Sequence, residues 1–143
     1  AELPDPPPVR DVVHALVEPL AAAVLGRAGS CWARFLLQGW ADPSLHDVVR
    51  RSFEASSYRT VRDLLAAALS DVPEPLRRSR IDQAVGLVVM SLAATEASTA
   101  SGHRPAVSTA ARTTDLVDTC TALLTAPASD TTTHLAGRTA RRA

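Results

Sequence analysis

Apolar residues along the chain recur with helical spacing, and short segments rich in proline, glycine or serine separate these stretches. From Val9 to Val24 an apolar residue stands at every third or fourth position, which is the spacing of one face of an α-helix. Pro8 suits the first turn of this helix, whereas Pro19 should kink it because an internal proline removes a backbone hydrogen bond. The pattern predicts a first helix that ends at Gly26.

Two more helices are predicted before residue 70. Ser30 can cap a short second helix that runs to about Ala41. Asp42 followed by Pro43 is a typical start signal for a third helix, which should be long and end near Leu69. The apolar stripe of that third helix consists of Leu45, Val48, Val49, Phe53, Val61, Leu64, Leu65 and Ala68.

The fourth predicted helix follows the proline-containing break at residues 72–75 and extends to about Glu96. Between Ala84 and Ala94 it is apolar nearly all round. A helix without a polar face must be covered on two sides. In a chain of 143 residues one side can be covered by the chain's own core, and we expect the other to meet a second copy. Gly86 would allow a close approach there.

A last helix is predicted to begin at a cap formed by Ser108 or Thr109. After Pro127 the chain is rich in Ser, Thr and Ala, and we expect a flexible tail over 127–143. The predicted organisation is a proline-rich lead-in at 1–8, a helical domain at 9–126 and this tail. The predicted fold class is all-α, an antiparallel bundle of about five helices.

Composition agrees with closely packed helices. Apolar residues make up 46% of the chain but aromatic residues only 3%, so Ala, Val and Leu must fill the interior. Fifteen basic and fifteen acidic residues cancel, which gives no electrostatic reason to expect nucleic acid or an anionic membrane as a direct partner. No apolar run is long enough to cross a bilayer and no signal-peptide pattern begins the chain, so we expect a cytoplasmic protein.

The sequence shows no catalytic or metal-binding pattern. Its four histidines lie on separate segments, and neither a two-histidine nor a paired-cysteine spacing suggests a metal. A strained nucleophile turn such as G-x-S-x-G is absent, as is a glycine-rich phosphate loop. We therefore expect neither enzymatic activity nor a cofactor. Cys31 and Cys120 fall within helical patterns and should be reduced, buried residues.

Over most of Val9–Pro127 the chain resembles the C-terminal domain of tetracycline-repressor-like (TetR-family) transcriptional regulators. The resemblance implies a homodimer in which the last two long helices pair with those of the twin subunit. It also implies a pocket for a small-molecule effector that controls DNA binding. The segments that carry the resemblance are Ala15–Ala21, Trp32–Gln38, Asp42–Leu45 with Val49–Arg51, Ala84–Val89 and Asp115–Pro127.

Members of this family begin with a helix-turn-helix domain whose recognition helix enters the major groove of the operator. The chain starts instead in a proline-rich stretch, so we expect it to be a fragment that binds DNA only through a missing N-terminal domain. The alternative is a stand-alone α-helical homodimeric interaction module without a ligand pocket. An internal cavity near Gln38 and Tyr58 would favour the regulator.

Candidate site residues follow from these expectations. Polar or aromatic side chains on otherwise apolar helices could line a pocket for an apolar or amphipathic effector, although core packing is the competing interpretation for the aromatic residues and the methionine. The candidate pocket residues are Trp32, Phe35, Gln38, Trp40, Tyr58 and Met90. The candidate dimer-interface residues are Val85, Val88, Val89, Leu92, Leu116, Cys120, Leu123 and Leu124.

Overall fold

The described residues of the chain are helical apart from the turns and connecting segments between helices. The computed structural model describes residues 6–27, 29–45, 47–48, 51, 56–103 and 106–140. Within these ranges no strand occurs, which confirms the predicted all-α fold class. The helices are α1 (Val9–Leu25), α2 (Trp32–Ala41), α3 (Ser56–Ala68), α4 (Glu74–Ala100), α5 (Thr109–Thr125) and α6 (Asp130–Ala140).

Helix α1 has the extent that its apolar spacing predicts. Pro8 stands immediately before it, and the Pro8 carbonyl oxygen accepts hydrogen bonds from the backbone N–H groups of Asp11 and Val12, at 3.0 and 3.3 Å. Pro19 lies inside the helix on its exposed side, where its ring does not enter the core. The buried face consists of Val12, Val13, Val17, Ala21 and Val24.

The long third helix predicted from Pro43 onwards differs from the structure at its start. Residues 43–45 form a turn, because the Asp42 carboxylate accepts hydrogen bonds from the Ser44 backbone N–H at 2.9 Å and from the Ser44 hydroxyl at 2.7 Å. Helix α3 supplies the second half of the predicted element. Val49 and Phe53, two members of the predicted stripe, lie outside the described residues.

Helices α4 and α5 begin where the sequence places them. Glu74 follows the N-cap residue Pro73, and α4 then continues for 27 residues. Ser108 caps α5, since its hydroxyl oxygen accepts a hydrogen bond from the Ala111 backbone N–H at 3.2 Å. The Ser108 alternative of the two predicted caps is thus confirmed.

After Pro127, where the sequence predicts a flexible tail, the chain forms helix α6. Ser129 accepts a hydrogen bond through its hydroxyl oxygen from the Thr132 backbone N–H at 3.3 Å, and Asp130 lies in the first turn. A serine cap and an early acidic residue both stabilise a helix N-terminus. The threonine-rich composition, which disfavours helix, concealed this local signal.

Helix α4 lies at the centre of the molecule. One side of it packs in the main core with α1, α3 and α5, and the Cys120 sulfur lies 3.9 Å from the Ala84 carbonyl oxygen at the contact between α4 and α5. A second side packs against α2 through Leu36 and Val89, with Trp40 beside them. The chain's own helices therefore supply two-sided cover for the apolar part of α4.

Candidate functional site

Four of the six candidate pocket residues lie on the surface of the chain. Trp32 and Phe35 are 42% and 56% exposed on α2, Gln38 is exposed on the same helix, and Met90 is 53% exposed on α4. The reason is that α2 uses its opposite side for packing against α4. The four side chains are thus exposed on α2 and α4, and a pocket lined by them stays a prediction.

The other two candidates, Trp40 and Tyr58, are half-buried. Trp40 packs against the cluster of Leu36 and Val89, as the core-packing interpretation predicts for an aromatic residue at helical spacing. Burial raises the pKa of Tyr58, and the negative charge of Asp82 raises it further, so the phenol remains protonated at neutral pH.

The candidate interface residues lie inside the single chain. Each of them is buried except Leu123, which is half-buried, and the cover comes from the chain's own helices. Their part in a contact with a second copy stays a prediction. The buried members are Val85, Val88, Val89, Leu92, Leu116, Cys120 and Leu124.

A different side of α4 remains open to a partner. Gly86, Met90 and Ala94 follow one another at intervals of four residues and therefore share one face of the helix. A Cβ atom built on Gly86 would meet no heavy atom within 4 Å, and both Met90 and Ala94 are exposed. We call these three residues the outer face of α4. It carries one large apolar side chain between two small residues.

The buried carboxylate of Glu96 joins α4 to the beginning of α2. One oxygen accepts hydrogen bonds from the Ser30 hydroxyl at 2.7 Å and the Ala33 backbone N–H at 3.4 Å. The other oxygen accepts a hydrogen bond from the Arg34 backbone N–H at 3.0 Å and lies 3.8 Å from the Arg34 Nε atom. A negative charge here satisfies N–H groups at the positive end of α2. Glu96 thus performs the capping predicted for Ser30.

Two clefts adjoin each other where the ends of α1 and α4 meet the start of α5. The larger has a volume of about 330 Å³ and the smaller about 220 Å³. Leu25, Thr95 and Arg112 line both of them. One guanidinium nitrogen of Arg112 donates a hydrogen bond to the Thr95 hydroxyl at 3.0 Å, which holds the arginine at the junction of the clefts. The candidate pocket residues named above line neither cleft.

Sequence reasoning missed this pair of clefts because no motif marks them. Arg112 stands in a Thr- and Ala-rich stretch and Thr95 near the end of a long helix, so neither differs from an ordinary surface residue in the sequence. The available signal was weak. Two polar residues, Ser91 and Thr95, interrupt one side of α4 at a spacing of four, and both line the smaller cleft.

The described ranges also bear on the predictions about metal ligands and membrane spans. Across these ranges, no group of three or more His, Cys, Asp or Glu side chains could bind a metal ion. No helix within the same ranges is both long and apolar enough to cross a membrane.

The two cysteines lie in different surroundings. Cys31 is exposed, contrary to the prediction. Cys120 is buried, and burial raises the pKa of its thiol to about 11, so the thiol is protonated at neutral pH.

Comparison with protein families gives a match that covers most of the chain. The family model described as tetracyclin repressor-like, C-terminal domain, matches residues 14–122. The matched range begins in α1 and ends within α5. It therefore includes the outer face of α4 and the residues that line the two clefts. No curated protein and no solved structure matches the chain significantly.

Proposed function

Because the chain belongs to the family of tetracyclin repressor-like C-terminal domains, we propose that it is the effector-binding and dimerisation part of a transcriptional repressor. The observation that carries this proposal is the family match over residues 14–122. Operator binding is assigned to a helix-turn-helix domain outside these 143 residues, and the domain itself catalyses no reaction.

The proposed homodimer forms through the outer face of α4 together with the neighbouring exposed surface of α5. The small residues Gly86 and Ala94 would allow the two copies of α4 to approach closely, and Met90 would lose its exposure to water. This placement keeps the pairing of the last two long helices that the family resemblance implies. It moves the contact from the buried side chains of α4 to its exposed ones.

The proposed control by an effector requires a difference in affinity between two conformations. A small molecule shifts the regulator away from its operator only if it binds the released conformation more tightly than the DNA-competent one. The clefts are suitably placed for such an effect, since Leu25, at the end of α1, lines both of them together with residues of α4 and α5. A ligand there would contact three helices at once and could change how they pack.

The solution mass of the 143-residue chain tests the dimerisation part of this proposal. We expect light scattering over a dilution series to give twice 15.1 kDa down to low micromolar concentration. A mass of 15.1 kDa at every concentration would contradict the proposed dimer. It would favour an architecture in which the chain's own helices provide all the cover that α4 needs.

A further inference from the structure

Two arginines without an acidic partner among the described residues line the larger cleft, a state that they share with Arg77 and Arg80, whose guanidinium groups bond to backbone carbonyl oxygens. Arg78 forms an ion pair with Glu74, and Arg10 forms one with Asp118. Within the described residues neither Arg27 nor Arg112 forms an ion pair, and both line the larger cleft. Arg112 donates to a neutral hydroxyl and keeps most of its five N–H donors for other acceptors. The cleft therefore presents positive charge to solvent.

The carboxylate in the same cleft does not neutralise this charge. Glu96 already accepts hydrogen bonds from Ser30, Ala33 and Arg34, and its negative charge is matched by the N-terminus of α2 and the Arg34 guanidinium. It has little capacity left for Arg27 or Arg112. An added anion could interact with these arginines without competing against a carboxylate already bound to them.

The smaller cleft supplies an apolar wall next to the charged junction. Leu87, Leu92 and Leu116 line it together with Leu25, which both clefts share. The carboxylate of Asp115 also lines this cleft, and within the described residues it forms no ion pair with Arg112. A molecule that places an anionic group at Arg112 can therefore extend an apolar portion along leucine side chains. The volume of the larger cleft, about 330 Å³, is at the lower end of the range of sites that accept small organic ligands, and the smaller cleft adjoins it with about 220 Å³.

We propose that the two clefts joined at Arg112 are the effector site, and that the effector is an amphipathic monoanion, an inference that rests on the proposed function. The anionic group pairs with Arg112 and Arg27, and the apolar group lies against the leucines of the smaller cleft. Binding links Arg27, which follows α1, to Arg112 on α5. It thereby joins the first helix of the domain to a helix of the proposed dimer interface.

Isothermal titration calorimetry of the full chain with octanoate tests this inference, with octan-1-ol as a ligand of equal chain length and no charge. We expect saturable binding of octanoate and at least about tenfold weaker binding of octan-1-ol. Arg112→Gln should weaken octanoate binding at least about tenfold, whereas Arg112→Lys should retain part of the affinity because it keeps the charge. Arg59→Gln, at an exposed residue of α3, is the matched control and should leave the affinity unchanged.

Arg27→Gln is the second variant, because the exposed Arg27 side chain has no role in packing and its removal should leave the fold intact. It too should weaken octanoate binding. Failure of octanoate to bind, or equal binding by the original chain and both glutamine variants, would overturn the inference. Light scattering on the same samples separates this result from failure of the proposed function. A dimer that does not bind octanoate contradicts only the effector site, whereas a monomer that binds octanoate supports the site and contradicts the dimer.

Discussion

The inner and outer faces of α4 are both apolar, yet they differ in side-chain size and in cover. The inner face consists of Val88, Val89 and Leu92, whose side chains are no more than 2% exposed. Val88 and Leu92 pack in the main core, and Val89 packs in the smaller cluster with Leu36. The outer face consists of Gly86, Met90 and Ala94, of which Met90 is 53% exposed. Branched side chains fill the chain's own interior, whereas small ones leave room for another helix. Apolar character alone therefore does not distinguish a face that the chain's own helices cover from one that stays exposed.

Replacement of Val88 by arginine should have the largest effect on stability. The side chain is 1% exposed in the main core, so the new charge would be buried without a partner. We expect a loss of about 3–5 kcal/mol in the free energy of unfolding, a large part of the stability of a domain of this size. Urea denaturation followed by circular dichroism measures it. The control is Val107→Arg at a valine 52% exposed, which should change stability by less than about 0.5 kcal/mol.

Removal of the Glu96 carboxylate should have the next largest effect, because this is the polar group on the inner side of α4. Glu96→Ala leaves the N–H groups of Ala33 and Arg34 without their acceptor, and we expect a loss of about 1–3 kcal/mol. Glu74→Ala is the control, since it removes an exposed carboxylate paired with Arg78 and should cost less than about 1 kcal/mol. Equal losses in the two variants would show that the Glu96 contact to α2 adds nothing to stability.

Gly86→Ala should have the smallest effect on folding and a distinct effect on association. A Cβ atom at this position meets nothing in the single chain, and alanine is a better helix former, so the free energy of unfolding of the monomer should rise by up to about 1 kcal/mol. The added methyl group would stand where the second copy of α4 approaches, and association should weaken. Urea denaturation at low concentration and light scattering measure the two effects. Stabilisation with unchanged association would place the dimer contact elsewhere.

The spacing of apolar residues predicted the helices that bury one face. It did not show whether the chain's own helices or a second copy of the chain cover α4. The valines and leucines of α1 and α5 recur with one helical period, and each helix buries that face. Helix α4 is apolar nearly all round, and such a pattern predicts two-sided cover without distinguishing α2 from a second chain. Val88 and Met90 are equally apolar in the sequence, yet one is buried and the other exposed.

Contacts between residues distant in sequence explain the other differences. Glu96 caps α2 across more than sixty residues of chain, from Glu96 to Arg34 and Ser30, and no local spacing reveals that partner. The clefts at Arg112 depend in the same way on the meeting of α1, α4 and α5. Ser108 shows the opposite case: it caps α5 through a neighbouring residue, and the sequence pattern predicted it. Ser129 caps α6 in the same local way, but the threonine-rich composition after it concealed that signal.

The solution mass of Met90→Arg tests the division of α4 into two faces most directly. Arginine at this exposed position should leave the fold intact but place a charge in the contact between the two copies. At a concentration where the unaltered chain has twice the monomer mass, light scattering should give 15.1 kDa for the variant, and an unchanged circular dichroism spectrum should show that it is folded. A folded variant that remains as dimeric as the unaltered chain would contradict the assignment of the outer face to the dimer.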